Sequence, residues 1–154
     1  AAMGPVVSET QWTKIQGLIQ KGIDEGATLV SGGTGRPDGL DKGYYVKPTI
    51  FADVSNDMTI AREEIFGPVL SVLTFRTVDE AIEKANNTAY GLSAGVWTDK
   101  GARILKLAAE LKAGVVWANT YNKFDPASPF GGYKESGFGR EGGRQGLLDY
   151  CKLI

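Results

Sequence analysis

The sequence predicts an α/β fold in which helices cover a parallel sheet. From Pro68 onward, segments rich in β-forming residues alternate with segments of helical spacing, in the order strand, helix, strand, helix, strand. Two consecutive crossover connections of this kind favour parallel strands. The chain has 154 residues, of which 42% are hydrophobic, so it is long enough to bury a core. We expect a single domain over residues 1–154.

The first half of the chain predicts one helix and two extended segments. Ser8 and Gln11 have the spacing of a capping box, and apolar residues follow at helical spacing up to Gly26. The segment TLVSGG then indicates a short strand. YYVKPTIFADV indicates an extended segment, and the Gly- and Pro-rich residues between the two form an exposed loop.

The middle of the chain predicts a strand, a helix and a second strand. PVLSVLTF is almost continuously apolar, which is typical of an interior strand covered on both faces. Thr77 and Glu80 repeat the capping-box spacing and open a helix that runs to about Asn86. LSAGVWT follows as the next strand.

The third helix and the last strand complete the predicted sheet. We expect Asp99 to cap a helix that ends near Gly114, before the strand VVWANT. After Asn119 we expect irregular structure, and then a short helix around residues 143–150. The helix carries four apolar residues on one face: Ile104, Leu105, Ala108 and Leu111.

Composition excludes several classes of function. The net charge of −1 leaves no basic excess to attract nucleic acid, and no apolar stretch approaches the length of a membrane span. We therefore expect a cytoplasmic protein that binds neither nucleic acid nor a membrane. The chain has no histidine, which removes Ser-His-Asp catalysis and most zinc sites, so we expect no metal. The single cysteine, Cys151, is expected to be a small buried residue and not a nucleophile.

The segment EEIFGPV, residues 63–69, is the first candidate site. A turn at Gly67 and Pro68 leads into the apolar strand and leaves Glu64 and Phe66 near the start of that strand. A carboxylate accepts two hydrogen bonds and a phenyl ring offers a flat apolar wall, a combination suited to a sugar diol beside an aromatic base. The competing interpretation is a pair of solvated acids.

The segment NTYNKFDPASPFGG, residues 119–132, is the second candidate site. It follows a predicted parallel strand at its carboxyl end, where open α/β sheets bind ligands. Thr120, Tyr121, Phe124 and Phe130 are candidates to line an apolar pocket. The alternative, equally open at this point, is that the aromatic residues anchor a long loop.

Gly137, Gly139 and Gly142 match the spacing G-x-G-x-x-G of dinucleotide-binding loops. That motif needs a strand before it and a helix with a second strand after it, but YKES precedes these glycines and few residues follow them. The context favours a tight loop that enters a helix. A small nucleotide-binding protein is the rival hypothesis.

Several motifs together resemble a known family. EEIFGPVLSVLTF, NNTAYGLSAGVWT, GVVWANTY and SPFGGYKESGFGREGG, with the early GPVVS, are similar in order and spacing to the C-terminal third of the NAD(P)-dependent aldehyde dehydrogenase superfamily. The resemblance runs from about Gly4 to Tyr150. It implies the parallel-sheet portion of the catalytic domain of the aldehyde dehydrogenase fold, with the Rossmann-like cofactor domain absent.

The resemblance also implies roles. Glu64 matches the glutamate that hydrogen-bonds the nicotinamide ribose, and Phe66 matches the phenylalanine that packs beside it. Arg140 and Glu141 match a pair that supports a loop, so we expect both to be structural. The aldehyde tunnel would be lined by Thr120, Phe124 and Phe130, with Tyr121 adjacent. The resemblance further implies NAD or NADP in the intact enzyme, a small-molecule aldehyde as substrate, and a homo-oligomer or self-association of this chain.

The family's other catalytic parts have no match in this sequence. Family members are roughly three times as long, as multidomain chains are, and their nucleophilic cysteine, general-base glutamate and oxyanion-hole asparagine lie upstream of the matched part. Together with the start AAMGPVV, this predicts a fragment that has no catalytic residue and binds no cofactor tightly by itself. The alternative is a stand-alone, non-catalytic interaction module on the same scaffold.

Overall fold

The computed structural model describes residues 3–152. The chain divides into two compact units, Ala1–Phe75 and Arg76–Ile154. Helices and strands occur in both units, so the expected α/β class is confirmed at this coarse level.

The first unit contains a mixed three-stranded sheet in the order β1-β2-β3. Strands β1 and β2 run antiparallel, and β2 and β3 run parallel. This sheet is therefore mixed and not purely parallel, because the Gly-rich loop between β1 and β2 returns the chain without the crossover that parallel strands need. The elements are α1 (Glu9–Asp24), β1 (Thr28–Ser31), β2 (Thr49–Ala52), α2 (Thr59–Arg62) and β3 (Val69–Ser71).

Helix α1 covers this sheet and forms the core of the first unit. The predicted cap is confirmed, since the Ser8 hydroxyl oxygen accepts a hydrogen bond from the Gln11 N–H at 3.2 Å. Ile15 and Ile19 lie on the inner face and belong to one buried cluster with Phe51 of β2, all three at 0% exposure. Burial of side chains of this size contributes about 1.5–3 kcal/mol each.

The apolar segment after Pro68 is shorter as a strand than predicted. Strand β3 comprises only Val69–Ser71, and Leu70 and Phe75 are 57% and 59% exposed. The expectation of a strand covered on both faces is therefore wrong for the described residues. Continuous apolar sequence shows that a segment can be buried, but it does not supply the layer that would cover the second face.

The second unit contains two separate strand pairs. Strands β5 and β6 are parallel and flank α4 in sequence, so this predicted crossover is confirmed. The other predicted crossover is not found, because β3 pairs with β2 and β5 with β6; β4 and β7 are antiparallel. The elements are α3 (Val78–Asn86), β4 (Tyr90–Gly91), β5 (Ser93–Val96), α4 (Gly101–Glu110), β6 (Val115–Ala118), β7 (Tyr133–Lys134) and α5 (Gly143–Leu148).

The helix signals of the second unit are confirmed for α3 and wrong for α4. The Thr77 hydroxyl oxygen accepts a hydrogen bond from the Glu80 N–H at 3.1 Å, as the capping box predicts. Helix α4 has Lys100 at its N-cap position with no side-chain hydrogen bond, so Asp99 is not the cap. It ends at Glu110, four residues before Gly114, and Leu105 on its apolar face is 74% exposed.

Gly114 has a different role from the helix terminator that was predicted. A Cβ atom at this position would collide with the backbone carbonyl of Gly131. The glycine is thus required by a close approach of two chain segments, a long-range contact that local sequence does not reveal.

None of the helices in residues 3–152 has the length and apolar content needed to cross a bilayer.

Candidate functional site

Helix α1 holds the Glu64–Phe66 segment through its main chain. The Gln11 side-chain amide donates hydrogen bonds to the carbonyl oxygens of Ile65 and Phe66, each at 3.0 Å. The Lys14 ammonium donates to the carbonyl oxygen of Glu64 at 3.1 Å. Because these bonds use backbone oxygens, the side chains of Glu64 and Phe66 are left free to face outward.

Alternation along this segment separates its anchors from its candidate site residues. Ile65 is 8% exposed and belongs to the core, whereas Phe66 is 74% exposed. Gly67 lies against α1 so closely that a Cβ there would stand 2.6 Å from Cδ1 of Ile15. The buried isoleucine and the glycine fix the segment to the helix, and Glu64 and Phe66 are both exposed.

Phe66 adopts a left-handed backbone conformation, with φ of 56°. A non-glycine residue in this region costs on the order of 1–3 kcal/mol and persists where the surroundings hold it. Here the surroundings are the two hydrogen bonds from Gln11 to the carbonyl oxygens of Ile65 and Phe66. The strain accompanies an exposed aromatic ring, a pattern often found at binding sites.

The Glu64 carboxylate is available to a ligand. Within residues 3–152 its side-chain oxygens have no hydrogen bond or ion pair. Two free carboxylate oxygens can accept the two hydroxyl hydrogens of a diol, and the nearby Phe66 ring offers an apolar surface. Within the described part of the chain, the segment therefore carries an unpaired carboxylate and an exposed aromatic ring two residues apart.

The second unit brings three of the four predicted tunnel residues into one row of aromatic rings. The centroids of Phe124 and Phe130 are 5.0 Å apart with an angle of 82° between the rings. Trp117 lies 5.0 Å from Tyr121 and 5.5 Å from Phe124, both in edge contacts. Offset and edge contacts at these distances are the favoured geometry for aromatic pairs.

Trp117 was missed in the sequence interpretation, which treated it only as part of a strand. It is 8% exposed, and its indole N–H donates to the carbonyl oxygen of Lys123 at 2.9 Å. A tryptophan in an otherwise small-residue strand needs a partner for its N–H when buried. The sequence signal that could have identified Trp117 was therefore a tryptophan placed two residues before a loop that can supply this partner.

Thr120 lies where the chain leaves β6 and is partly buried. The preceding Asn119 has φ of 52°, and its side chain accepts from the N–H of Thr98 at 2.9 Å and donates to the carbonyl of Thr98 at 3.0 Å. This pairing continues the β5–β6 ladder by one step and fixes the start of the loop. Thr120 takes part in no ring contact but precedes the aromatic row directly.

The long loop after Phe124 is ordered by its own hydrogen bonds. Asp125 accepts the Ala127 N–H at 2.8 Å through its side chain. Phe130 and Glu141 exchange two backbone hydrogen bonds, each of 2.7 Å. The aromatic residues therefore stand on a loop whose shape is also set by main-chain pairing.

The glycine-rich segment forms a loop that leads into α5, as predicted. Arg140 donates through one Nη1 to the carbonyl oxygens of Gly132, Phe138 and Gly139, at 2.8, 3.2 and 2.9 Å. This agrees with the structural role expected for it. A cavity of about 620 Å³ lies beside the loop, and its lining includes Phe130, Arg140 and Tyr150.

Cys151 is exposed, which corrects the expectation that it is buried. It lies beyond α5, near the end of the described residues. Within residues 3–152, no group of three or more His, Cys, Asp or Glu residues has the arrangement of a metal site.

Comparison with known proteins identifies the family. A family model described as the aldehyde dehydrogenase family matches residues 1–153. The chain belongs to the aldehyde dehydrogenase family. It is 52% identical over 152 residues to a betaine aldehyde dehydrogenase of Brucella anthropi, covering 98% of this chain and 31% of that protein.

Solved aldehyde dehydrogenase structures have the same fold. The enzyme from Bartonella henselae is 53% identical, with a TM-score of 0.93, over 96% of this chain and 31% of that one. The Mycobacterium tuberculosis enzyme, solved with NAD⁺, is 51% identical with a TM-score of 0.93, over 97% of this chain and 31% of that one. The chain thus spans about a third of the length of the aldehyde dehydrogenases it matches.

Proposed function

We propose that this chain is the C-terminal part of the catalytic domain of an NAD(P)-dependent aldehyde dehydrogenase, which oxidises an aldehyde to a carboxylic acid. Membership of the family supports the activity, and the NAD⁺ in the Mycobacterium tuberculosis and Bacillus cereus structures supports the cofactor. We take both units to belong to one domain, with the Rossmann-like cofactor domain outside this chain. The comparisons lend no support to the alternative of a non-catalytic module.

In the first unit, Glu64 and Phe66 are proposed to hold the nicotinamide end of the cofactor. When bound, NAD(P) supplies the hydride acceptor of the reaction. The Glu64 carboxylate would accept the ribose hydroxyl hydrogens, and the Phe66 ring would limit where the nicotinamide end can lie. The single observation that carries the proposal is that both side chains are free while their main chain is fixed by Gln11 and Lys14.

In the second unit, the aromatic row is proposed to line the aldehyde tunnel. Tyr121 and Phe124 are each 57% exposed, so their outer faces are open to a ligand. Thr120 and Phe130 would complete the wall. An apolar lining favours the carbon chain of an aldehyde over water and keeps the reacting carbonyl in a defined path.

The isolated chain is proposed to be inactive. Aldehyde dehydrogenases that use a thiolate need a cysteine in the active site, and the one cysteine of this sequence, Cys151, lies after the last helix. We also propose that the intact enzyme is a homo-oligomer.

A chimera tests the proposal. Residues 4–150 would replace the aligned segment of the Bartonella henselae enzyme, and aldehyde-dependent reduction of NAD⁺ and NADP⁺ would be followed spectroscopically. We expect an active chimera, in which Glu64→Ala lowers kcat/KM by about ten- to a hundredfold because charge-assisted hydrogen bonds to the ribose are lost.

The neighbouring carboxylate provides the control. Glu63 is also exposed, and Glu63→Ala is expected to leave kcat/KM near that of the parent chimera. Equal losses in the two variants would contradict the role of Glu64. Turnover by the isolated chain would contradict its proposed inactivity, and an inactive chimera would contradict the proposed function.

A further inference from the structure

Two rings of the aromatic row, those of Tyr121 and Phe124, are more than half exposed. Tyr121 and Phe124 are each 57% exposed, whereas Trp117 is 8% exposed. A ring that is more than half in solvent changes rotamer freely unless something on its buried side holds it. Trp117 is the buried ring that both of them contact.

The contacts of Trp117 fix the two rings and the backbone between them. Its ring meets Tyr121 at an angle of 66° and Phe124 at 86°, so each is an edge contact. Its N–H donates to the carbonyl oxygen of Lys123 at 2.9 Å, which lies between Tyr121 and Phe124 in the chain. The buried side chain of Trp117 thus contacts the loop at three residues: Tyr121, Lys123 and Phe124.

The backbone turns that bring the rings back to Trp117 lie on either side of Thr120. Asn119 and Asn122 have φ of 52° and 56°, in the left-handed region that asparagine tolerates better than most residues. These turns reverse the chain after β6, so that a strand residue and two loop residues meet. The loop is therefore folded around the indole of Trp117.

We propose that Trp117 is a positioning residue of the aldehyde tunnel: it sets the orientation of Tyr121 and Phe124 and thereby makes the enzyme prefer aldehydes with a flat or extended apolar group. This inference rests on the proposed function, because it takes the row to face the substrate. Phe124 passes the contact on to Phe130 at 5.0 Å, so the oriented rings form a continuous apolar wall. A long or aromatic aldehyde would contact several of these rings, and a two- or three-carbon aldehyde few.

The test combines two measurements on Trp117→Phe and Trp117→Leu. The first is NMR of this chain, which reports the ring proton shifts and nuclear Overhauser contacts of Tyr121 and Phe124 without any need for activity. The second is the ratio of kcat/KM for benzaldehyde to kcat/KM for propanal in the chimera described above.

Trp12→Phe is the matched control. The Trp12 indole N–H also donates to a backbone carbonyl, that of Tyr45, at 2.8 Å, but it lies in the first unit. The same chemical change is therefore made outside the aromatic row. We expect it to leave the ring signals of Tyr121 and Phe124, and the ratio of the two aldehydes, unchanged.

We expect both Trp117 variants to lose the fixed ring contacts of Tyr121 and Phe124 and to lower the benzaldehyde-to-propanal ratio by about three- to tenfold, with Leu the larger effect. Unchanged ring contacts in Trp117→Leu would overturn the proposal. So would loss of the β5–β6 amide pattern in both variants, since Trp117 would then be an ordinary core residue. Disordered rings with an unchanged ratio would show that Trp117 orients the two rings, but would overturn its effect on aldehyde preference and the assignment of the row to the tunnel.

Discussion

Two adjacent asparagines differ in what their side chains do. Asn86 donates from Nδ2 to the carbonyl oxygen of Glu110 at 2.9 Å, and its Oδ1 accepts from the N–H of Lys112 at 2.7 Å. It therefore joins the end of α3 to the end of α4. Asn87 is exposed, and its side chain has no hydrogen bond within residues 3–152.

We expect Asn86→Ala to lower the free energy of unfolding by about 1–2 kcal/mol, because two hydrogen bonds are lost. Asn87→Ala should change it by less than about 0.5 kcal/mol, as is usual for an exposed side chain without partners. Urea denaturation of both variants measures the difference. Similar losses of unfolding free energy in the two variants would show that the hydrogen bonds of the Asn86 side chain do not stabilise the fold.

Glu25 caps α2 from outside that helix. Its carboxylate accepts from the Thr59 hydroxyl and from the Thr59 N–H, each at 2.6 Å. The pKa of Glu25 is held below its ordinary value. The largest cause is the hydrogen bond from the Thr59 hydroxyl, followed by the bond from the Thr59 N–H and by the charge of the nearby Lys21 ammonium. A lowered pKa in the folded state means that the charged form stabilises the fold.

This stabilisation should depend on pH with a defined sign. It is fully present above the pKa of the unfolded chain, about 4.3 for Glu, and is lost as the pH falls through the lower folded pKa. We expect Glu25→Gln to lower the melting temperature at pH 7 and the deficit to shrink toward pH 3. Thermal unfolding measured between pH 3 and pH 7 checks this pH dependence, with Glu63→Gln as the control. A deficit that stays constant with pH would contradict the assignment.

At the residue scale, the sequence predicts a side chain's role best where chemistry and position are local. Glu64 and Phe66 were identified because a turn at Gly67 and Pro68 places them together, and the structure does leave both exposed. Trp117 was missed because its role comes from contacts with loop residues that return to it. Such contacts depend on the path of the loop, which sequence patterns do not specify.

At the element scale, helix α1 offers the same substitution in two environments. A Cβ at Gly17 would meet no atom within 4 Å, whereas a Cβ at Gly22 would lie 3.0 Å from Ile60 Cδ1 and 3.2 Å from Phe51 Cζ. Alanine is favoured over glycine inside a helix by about 0.5–1 kcal/mol. Overpacking a core costs about 1–3 kcal/mol.

We therefore expect Gly17→Ala to raise the free energy of unfolding by about 0.5–1 kcal/mol. The Gly22→Ala variant should have a lower free energy of unfolding than the Gly17→Ala variant, because the tight contacts of the added Cβ offset the gain in helix propensity. Chemical denaturation of both variants gives the comparison. A Gly22→Ala protein as stable as Gly17→Ala would mean that Ile60 and Phe51 move aside without cost.

The elements that sequence predicted well are those with signals a few residues apart. The caps at Ser8 and Thr77 are pairs three residues apart, and both are present. Strand pairing was predicted less well: the β5–β6 crossover is present, but the first sheet also contains the antiparallel pair β1–β2. Pairing partners come from distant parts of the chain, so alternation along the sequence does not determine them.

At the scale of the whole molecule, large apolar side chains remain in solvent in both units. Phe66 and Leu105 are each 74% exposed, Phe138 is 81% exposed and Tyr150 is 91% exposed. Exposed apolar groups of this size are typical of surfaces that another part of a protein covers. The chain matches only 31% of the length of the betaine aldehyde dehydrogenase of Brucella anthropi.

We predict that the isolated chain self-associates and binds a hydrophobic dye. Light scattering at several concentrations and fluorescence of an added naphthalene sulfonate dye measure the two effects. The chimera, in which the covering residues are present, should bind less dye per copy of this segment. A monomer that binds no dye would contradict the prediction.

The absence of space at Gly114 also bears on how this protein can change by mutation. Every substitution there adds at least one carbon, and the nearest obstacle is the backbone carbonyl of Gly131, which no rotamer change can move aside. Any codon change that alters the amino acid should therefore be selected against, whatever its chemistry. A library covering all codons of the gene, screened for folded protein, should return glycine alone at this position and several residues at Gly101, which has open space around it.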